Sequence, residues 1–351
     1  MIFYVSTYTE GFFNEGPNGS QGIYLLQYNE KTNKLKILNS FSDSVNPSFI
    51  KLSKDNKSLF VACEKLPPSR IDNYIVDENY NLIFNDSKTF DGRSCCYINI
   101  NEENNFCVGA HYGSGDVFSF TFDKKNKFKK QVSRILHENE IGPNTSRQEA
   151  PHAHSIRYIK GLDQYVACDL GSDRIDFYKY DENGNLIESD IPYIKTKPGY
   201  GPRHTESNNN GKRLYVTCEL ENRILFYELE NGVFVLKQDV SSISKKYNKP
   251  NTCADIHLSN NGKFLFASNR GNNTIVEYVV NKNGTLVLID YFDCHGKGPR
   301  NFAVCKNFII CANENSNTVT ILELSNGVLT GKLLKSIKII SPVCIEKIKE
   351  D

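Results

Sequence analysis

The chain has 351 residues and sets 42 basic against 41 acidic side chains, so no whole-molecule field draws it to nucleic acid or to an anionic membrane, and charge recognition has to be local. Its eleven cysteines are scattered without a Cys-x-x-Cys pair, which argues against a disulfide framework. Tryptophan is absent, which excludes blades of the Trp-Asp type.

The first residues, Met1 to Val5, carry no basic leader and no long apolar stretch, and no run reaches membrane-spanning length; a cytoplasmic location is expected. In chain order, seven short apolar runs follow one another, each ending in a polar or aromatic residue: Tyr8, Glu64, His111, Asp169, Glu219, Arg270 and Glu314. These residues recur every 44 to 58 positions, and a strand repeat of that size predicts a β-propeller, which brings one residue per repeat to a common axis. Each repeat opens on a turn and a strand start: Asn46-Pro47-Ser48, Arg93-Ser94-Cys95, Ala150-Pro151-His152, Gly201-Pro202-Arg203, Asn251-Thr252-Cys253-Ala254 and Gly298-Pro299-Arg300. Proline fits the first residue of a strand, where no ladder hydrogen bond is lost. Turns such as 208–212 and 260–263 lead into second strands, third strands start at Arg223, Thr274 and Thr318, and Asn-Gly turns such as Asn283-Gly284 lead into short outer strands.

The C-terminal Ser341-Pro342-Val343-Cys344-Ile345 reads as an opening strand without a partner, and the run ending at Tyr8 as a second strand without an opening. One blade built from both termini satisfies both and hides the open edges. The expected architecture is all-β: a seven-bladed β-propeller with four antiparallel strands per blade, forming a single domain over residues 1–351. Residues 9–21 are expected to loop over one mouth of the channel.

The start of a first strand and the end of the second lie at the same end of an antiparallel hairpin. The spacing pairs Ser48 with Glu64, His152 with Asp169, Arg203 with Glu219, Ala254 with Arg270 and Arg300 with Glu314. A pocket holding His152, Arg203, Arg300, Arg270, Glu219, Asp169, Glu64, Glu314 and His111 is predicted. Three arginines and two histidines facing carboxylates exceed what hydration of a channel requires. His152 and His154 share a strand face and fit a metal pair, but the neighbouring arginines would repel a divalent cation; neither metal nor cofactor is expected. Tyr112-Gly-Ser-Gly115 reads as a turn between strands and not as a phosphate cradle. Cys63, Cys168 and Cys218 recur just before the terminal residue and read as small packing groups, whereas Cys95, Cys96 and the exposed-looking Cys294 beside His295 are weaker candidates for reactivity.

At these residues the sequence resembles the lactonase-type seven-bladed propellers, the family of bacterial 6-phosphogluconolactonases and fungal carboxy-muconate lactonising enzymes. The motifs that carry the resemblance are Thr7-Tyr8-Thr9, Gly22-Ile23-Tyr24, Pro151-His152, Gly201-Pro202-Arg203-His204, Asn222 after Glu219-Leu220, Ala254-Asp255-Ile256-His257, Ser268-Asn269-Arg270, Gly298-Pro299-Arg300-Asn301-Phe302 and Pro342-Val343-Cys344-Ile345. His111 stands where the family has Asn-Tyr-Gly, and the loops at 9–21 and 65–90 are longer than the family pattern.

The resemblance implies that His152, Arg203, Glu219 and Arg270 are the catalytic set. It implies hydrolysis of 6-phosphoglucono-δ-lactone to 6-phosphogluconate in the pentose phosphate pathway. Arg203 or Arg270 would stabilise the oxyanion, Glu219 activate water and His152 carry a proton. Arg300, Lys297, His154, His204, His111, Asp169, Glu64 and Glu314 would contact the substrate or its phosphate. A carboxylate between arginines should be a weak base, so Glu219 can instead orient water or an arginine. The competing readings are a carboxy-muconate cycloisomerase and a non-catalytic propeller that binds a protein or sugar phosphate. The expected partner is a small phosphorylated sugar lactone, without nucleic acid or membrane; the sequence does not give an oligomeric state.

Overall fold

The computed structural model describes residues 1–10, 19–64, 67–101 and 105–348. Seven antiparallel sheets make up the propeller. In chain order, six of them cover residues 47–90, 95–136, 153–195, 202–241, 252–293 and 299–338. The seventh pairs the C-terminal strand Pro342–Lys347 with Ile2–Thr7, followed by Ile23–Asn29 and Lys34–Phe41. Tyr4 lies opposite both Glu346 and Leu25, so the N-terminal strand is paired on both sides. The edges left open by the two ends of the chain close on each other. Among the described residues no helix is long and apolar enough to cross a membrane.

Alternation along the strands turns one face of each blade onto the next, and the cores lie between blades. Leu214, Val216 and Cys218 of one blade pack on Val166, Cys168 and Ile175 of its predecessor, all fully buried. The closing blade is clamped the same way, with Phe308 edge-on to Tyr28 at 4.9 Å and to Phe3 at 6.2 Å. Burying side chains of this size contributes about 1.5–3 kcal/mol each. All eleven cysteines are buried, Cys294 included, so the exposed position expected for it is corrected.

Two further expectations change. The stretch at 65–90 is not a long loop: Ser69–Val76 and Leu82–Phe90 are the third and fourth strands of their blade. The outer strands are mostly long, up to Val328–Lys338 with 11 residues; the exception is one blade whose outer edge is split into Leu186–Glu188, with three, and Ile194–Lys195, with two. The expected loop at 9–21 falls largely outside the described residues.

One backbone feature places the site. In six blades the innermost strand breaks register with its neighbour one residue after its start, and in the seventh the break comes between Cys253 and Ile256. Pro202 pairs with Cys218 and His204 with Thr217, so Arg203 is skipped. Arg300 is skipped between Pro299 and Asn301, and His154 between Ala153 and Ser155. Ser48, Cys96 and Val343 hold the same position in their blades. A β-bulge re-aims the extra side chain, and here it sends one residue per blade toward the axis. Ser48, Cys96, His154, Arg203, Arg300 and Val343 together line a cavity of about 10 Å³.

Candidate functional site

A second layer of residues lies above the bulges, at the ends of the second strands. The backbone N–H of Glu64 donates to Asn46 O at 2.9 Å, that of Glu219 to Gly201 O at 2.7 Å and that of Glu314 to Gly298 O at 3.0 Å. The same bond is made by Tyr8 to Ser341 O, Tyr112 to Ser94 O and Leu170 to His152 O. Tyr112 and Leu170 therefore occupy the mouth positions expected for His111 and Asp169.

His111 and Asp169 sit one residue earlier, opposite Cys95 and Ala153, and their side chains turn into the blades. His111 lies between Phe90 and Phe118, with Nδ1 2.7 Å from Asp116 Oδ2. Asp169 meets His137 Nδ1 at 2.8 Å and accepts the backbone N–H groups of His152, Gly171 and Ser172. Both are fully buried structural pairs away from the pocket predicted for them.

Glu219 is the centre of one half of the mouth. Its Oε2 lies 2.9 Å from Arg203 Nε and 2.8 Å from Arg270 Nη2, and its Oε1 accepts from Arg147 Nη2 at 2.6 Å. Burial pushes the Glu219 carboxyl up, but the guanidiniums of Arg270, Arg203 and Arg147 overcome it and hold the group well below the usual carboxylate range. Burial and the Arg270 charge bring Arg203 down to about 10, against the pull of Glu219, so it remains a cation at neutral pH. Arg203 Nη1 donates to Ala254 O at 2.7 Å, and Arg270 Nη2 to Cys253 O at 3.1 Å. Among the described residues Arg270 Nε has no hydrogen-bond partner, and Arg203 Nε meets Glu219 without hydrogen-bond alignment.

The other half inverts the signs. Arg300 Nη2 donates to Tyr8 Oη at 2.7 Å, Nη1 donates to Glu314 Oε2 at 3.4 Å, and Glu64 Oε2 lies at 3.9 Å. Tyr8 in turn donates to Glu64 Oε2 at 2.7 Å.

The histidines of the site differ in environment. His152 lies flat on Tyr112, with ring centroids 4.3 Å apart, and its Nδ1 is 2.7 Å from Tyr112 O. A carbonyl only accepts, so Nδ1 carries the hydrogen and Nε2, 3.2 Å from Glu149, is the atom that can exchange a proton. His154 stands edge-on to both Tyr112 and His204. Burial and the Arg203 charge hold it well below the usual histidine range, hence neutral, and its Nδ1 has no partner among the described residues. His204 lies deeper. It accepts from Arg203 Nη1 at 3.2 Å through Nε2 and donates through Nδ1 to Asp255 at 2.8 Å. Burial and Arg203, opposed by Asp255, bring it down to about 4. Lys297 is exposed on the rim, one residue before Gly298.

Two members of the site escaped sequence reading. Arg147 lies outside any strand, in the connection between 136 and 153, and no repeat position marks it. Its signal was the longest interval in the repeat, the 58 residues from His111 to Asp169, which holds inserted chain. Tyr112 was read only as part of a turn, yet it floors His152 and touches Arg147 with its hydroxyl at 3.3 Å.

A family model described as "Lactonase, 7-bladed beta-propeller" matches residues 2–347. A 6-phosphogluconolactonase of Formosa agariphila is 34% identical, the match covering 93% of this chain and 94% of that one. A 6-phosphogluconolactonase of Bacillus subtilis is 29% identical over 98% of this chain and 97% of its own. Among solved structures, the periplasmic gluconolactonase of Pseudomonas aeruginosa is similar with a TM-score of 0.90 at 25% identity, covering 98% of both chains.

Proposed function

Since this chain belongs to the lactonase family of seven-bladed β-propellers and is a lactone hydrolase, we propose that its substrate is 6-phosphoglucono-δ-lactone, opened to 6-phosphogluconate, which sets it in sugar-phosphate oxidation. The observation that carries this reading is the excess of positive charge in one half of the mouth. Three guanidiniums converge on the single carboxylate of Glu219, which suits a substrate that brings a phosphate and develops an oxyanion.

Water attacks the lactone carbonyl carbon, and Arg203, a bulge residue held by Ala254 O and His204 Nε2, stabilises the charge that forms on the carbonyl oxygen. Arg270 supports it from the adjacent blade. Glu219 takes a proton from the attacking water, the ring C–O bond breaks, and a second proton, carried on His152 Nε2, passes to the leaving ring oxygen; Glu219 then gives its proton to solvent and His152 takes one up, which restores both groups. A lactone reaches its tetrahedral state easily, so modest basicity suffices. Glu64, Glu314 and Arg300 offer acceptors and donors for the sugar hydroxyls.

The test is acid release from freshly generated 6-phosphoglucono-δ-lactone, at a pH where spontaneous opening is slow. Turnover well above the enzyme-free rate is expected. A folded protein that adds nothing to that rate would overturn the assignment of substrate.

A further inference from the structure

Glu219 presents a chemical difficulty. Both carboxylate oxygens are held by cations, Oε2 by Arg203 and Arg270 and Oε1 by Arg147. A carboxylate so engaged keeps lone pairs on its oxygens but has little basicity. Glu219 becomes a better proton acceptor when one cation leaves.

The three arginines are not equally fixed. The side chains of Arg203 and Arg270 are 3% and 16% exposed, and each also holds a backbone carbonyl of the innermost strand at 252–258. The side chain of Arg147 is 37% exposed and comes from a connection without strand pairing. Its contacts to Glu219 and to Tyr112 both use Nη2, which leaves the rest of its planar fork for a ligand. The backbone beneath it is nevertheless anchored. Gln148 is fully buried, with Nε2 on Leu170 O at 2.9 Å and Oε1 accepting from Asn144 N at 3.1 Å. Gly142 is bonded to Gly171 O at 2.8 Å. A fixed backbone under an exposed guanidinium gives a side chain that can swing while the loop stays in place.

We infer that Arg147 is the phosphate-recognition residue, and that the substrate phosphate frees Glu219 by drawing Arg147 away from Oε1. This rests on the lactone-hydrolase reading above and adds to it a coupling between recognition and activation. The phosphate offers the guanidinium two oxygens in place of one, so the exchange is favourable. Oε1 is left facing the lactone, with Arg203 and Arg270 still on Oε2. An unphosphorylated lactone cannot drive the exchange and meets a Glu219 that is still capped. Arg147 acts on the reaction through Glu219 and is, toward the proton transfer, a positioning residue.

The experiment compares wild type, Arg147→Gln and Arg147→Lys on 6-phosphoglucono-δ-lactone and on glucono-δ-lactone, with kcat and KM measured separately and melting curves recorded for each protein. A charge-assisted hydrogen bond to an ionised group contributes about 1.5–3 kcal/mol. In Arg147→Gln the ratio of kcat/KM between phosphorylated and unphosphorylated lactone should therefore fall by about 10- to 100-fold. The loss should come through KM for the phosphorylated substrate, while turnover of glucono-δ-lactone rises because Glu219 is uncapped. Arg147→Lys should restore part of the ratio.

Inorganic phosphate supplies a second readout. After subtraction of the enzyme-free rate, it should accelerate glucono-δ-lactone turnover by wild type and not by Arg147→Gln. Equal proportional losses on both lactones, or an unchanged ratio, would overturn the inference and leave the hydrolase reading standing. A wild type inert toward both lactones would overturn the substrate reading itself.

Discussion

The two halves of the mouth share an arginine at the bulge and a glutamate at the strand end, and differ in which of the two is surrounded by opposite charge. In one, a carboxylate at the end of a second strand, Glu219, is ringed by three guanidiniums. In the other, a guanidinium at the bulge of a first strand, Arg300, is ringed by Glu64, Glu314 and the hydroxyl of Tyr8. Arg203 and Arg300 hold equivalent bulge positions, and Glu219 and Glu314 equivalent strand ends. What separates the halves is the material around them: Arg270 and the loop-borne Arg147 on one side, Glu64 and Tyr8 on the other. A repeat fold thus makes an asymmetric site by varying few side chains on a fixed frame. The cationic half is suited to anions and to developing negative charge, the carboxylate half to hydroxyl groups.

The largest test of that division is Arg203→Ala against Arg300→Ala. Loss of a preorganised oxyanion donor costs about 100- to 1000-fold in kcat, and this is the expected result for Arg203→Ala. Arg300→Ala should act mainly on KM, by about tenfold, as removal of one charged contact to a hydroxyl does. If both substitutions lowered kcat equally, the halves would share the chemistry and the division would fail.

Next in size is the stability of the charge clusters. Glu219→Gln leaves three guanidiniums without their counter-charge, and breaking a buried pair in this way costs about 3–5 kcal/mol. The melting temperature at pH 7 should fall by roughly 4 to 7 °C. Glu314→Gln leaves Glu64 and Tyr8 with Arg300, and its shift should stay below about 2 °C. The pH dependence sharpens the contrast. The folded Glu219 carboxyl lies well below its ordinary range because Arg270, Arg203 and Arg147 outweigh burial. Its contribution is therefore fully present above the unfolded value near 4.5 and is lost as the pH falls toward the folded value. Between pH 5 and pH 3 the melting temperature of wild type should drop more steeply than that of Glu219→Gln. Parallel curves would mean that the cluster stores no such linkage.

Strands and blade closure were legible because apolar runs, turn residues and opening prolines recur with the repeat. The pairs Arg203 with Glu219 and Arg300 with Glu314 were legible because hairpin geometry ties their spacing to proximity, and the structure puts them at 2.9 and 3.4 Å. The slip at His111 and Asp169 has a definite cause. The strand end was located by its conspicuous side chain, whereas the ladder locates it by the backbone bond to the residue before the opening strand. By that criterion the ends are Tyr112 and Leu170, a tyrosine and a leucine that attract no notice as charges. Likewise the bulge, which selects His154 and not His152 as the partner in position of Arg203, is a register shift invisible in residue types. Arg147 belongs to no repeat position, and a periodic reading passes over whatever an insertion contributes.

A third buried glutamate sets the lower limit of the comparison. Glu277 lies between its blade and the next, fully buried, with Oε2 accepting from the backbone N–H of Leu329 at 2.9 Å and Oε1 without a partner among the described residues. Among the described residues no cation stands where Glu219 has three, so burial wins over the single amide and raises the group to about 7. The sign of the linkage is opposite to that of Glu219. An acid held more tightly protonated in the fold contributes stability below its unfolded value near 4.5, and loses that contribution as the pH rises through 7. Glu277→Gln stays neutral at every pH. It should melt roughly one to a few degrees above wild type at pH 8 and no higher than wild type at pH 4.5. A gain of the same size at both pH values would show that packing and not ionisation is responsible, and the contrast between a capped and an uncapped carboxylate would then lose its simplest case.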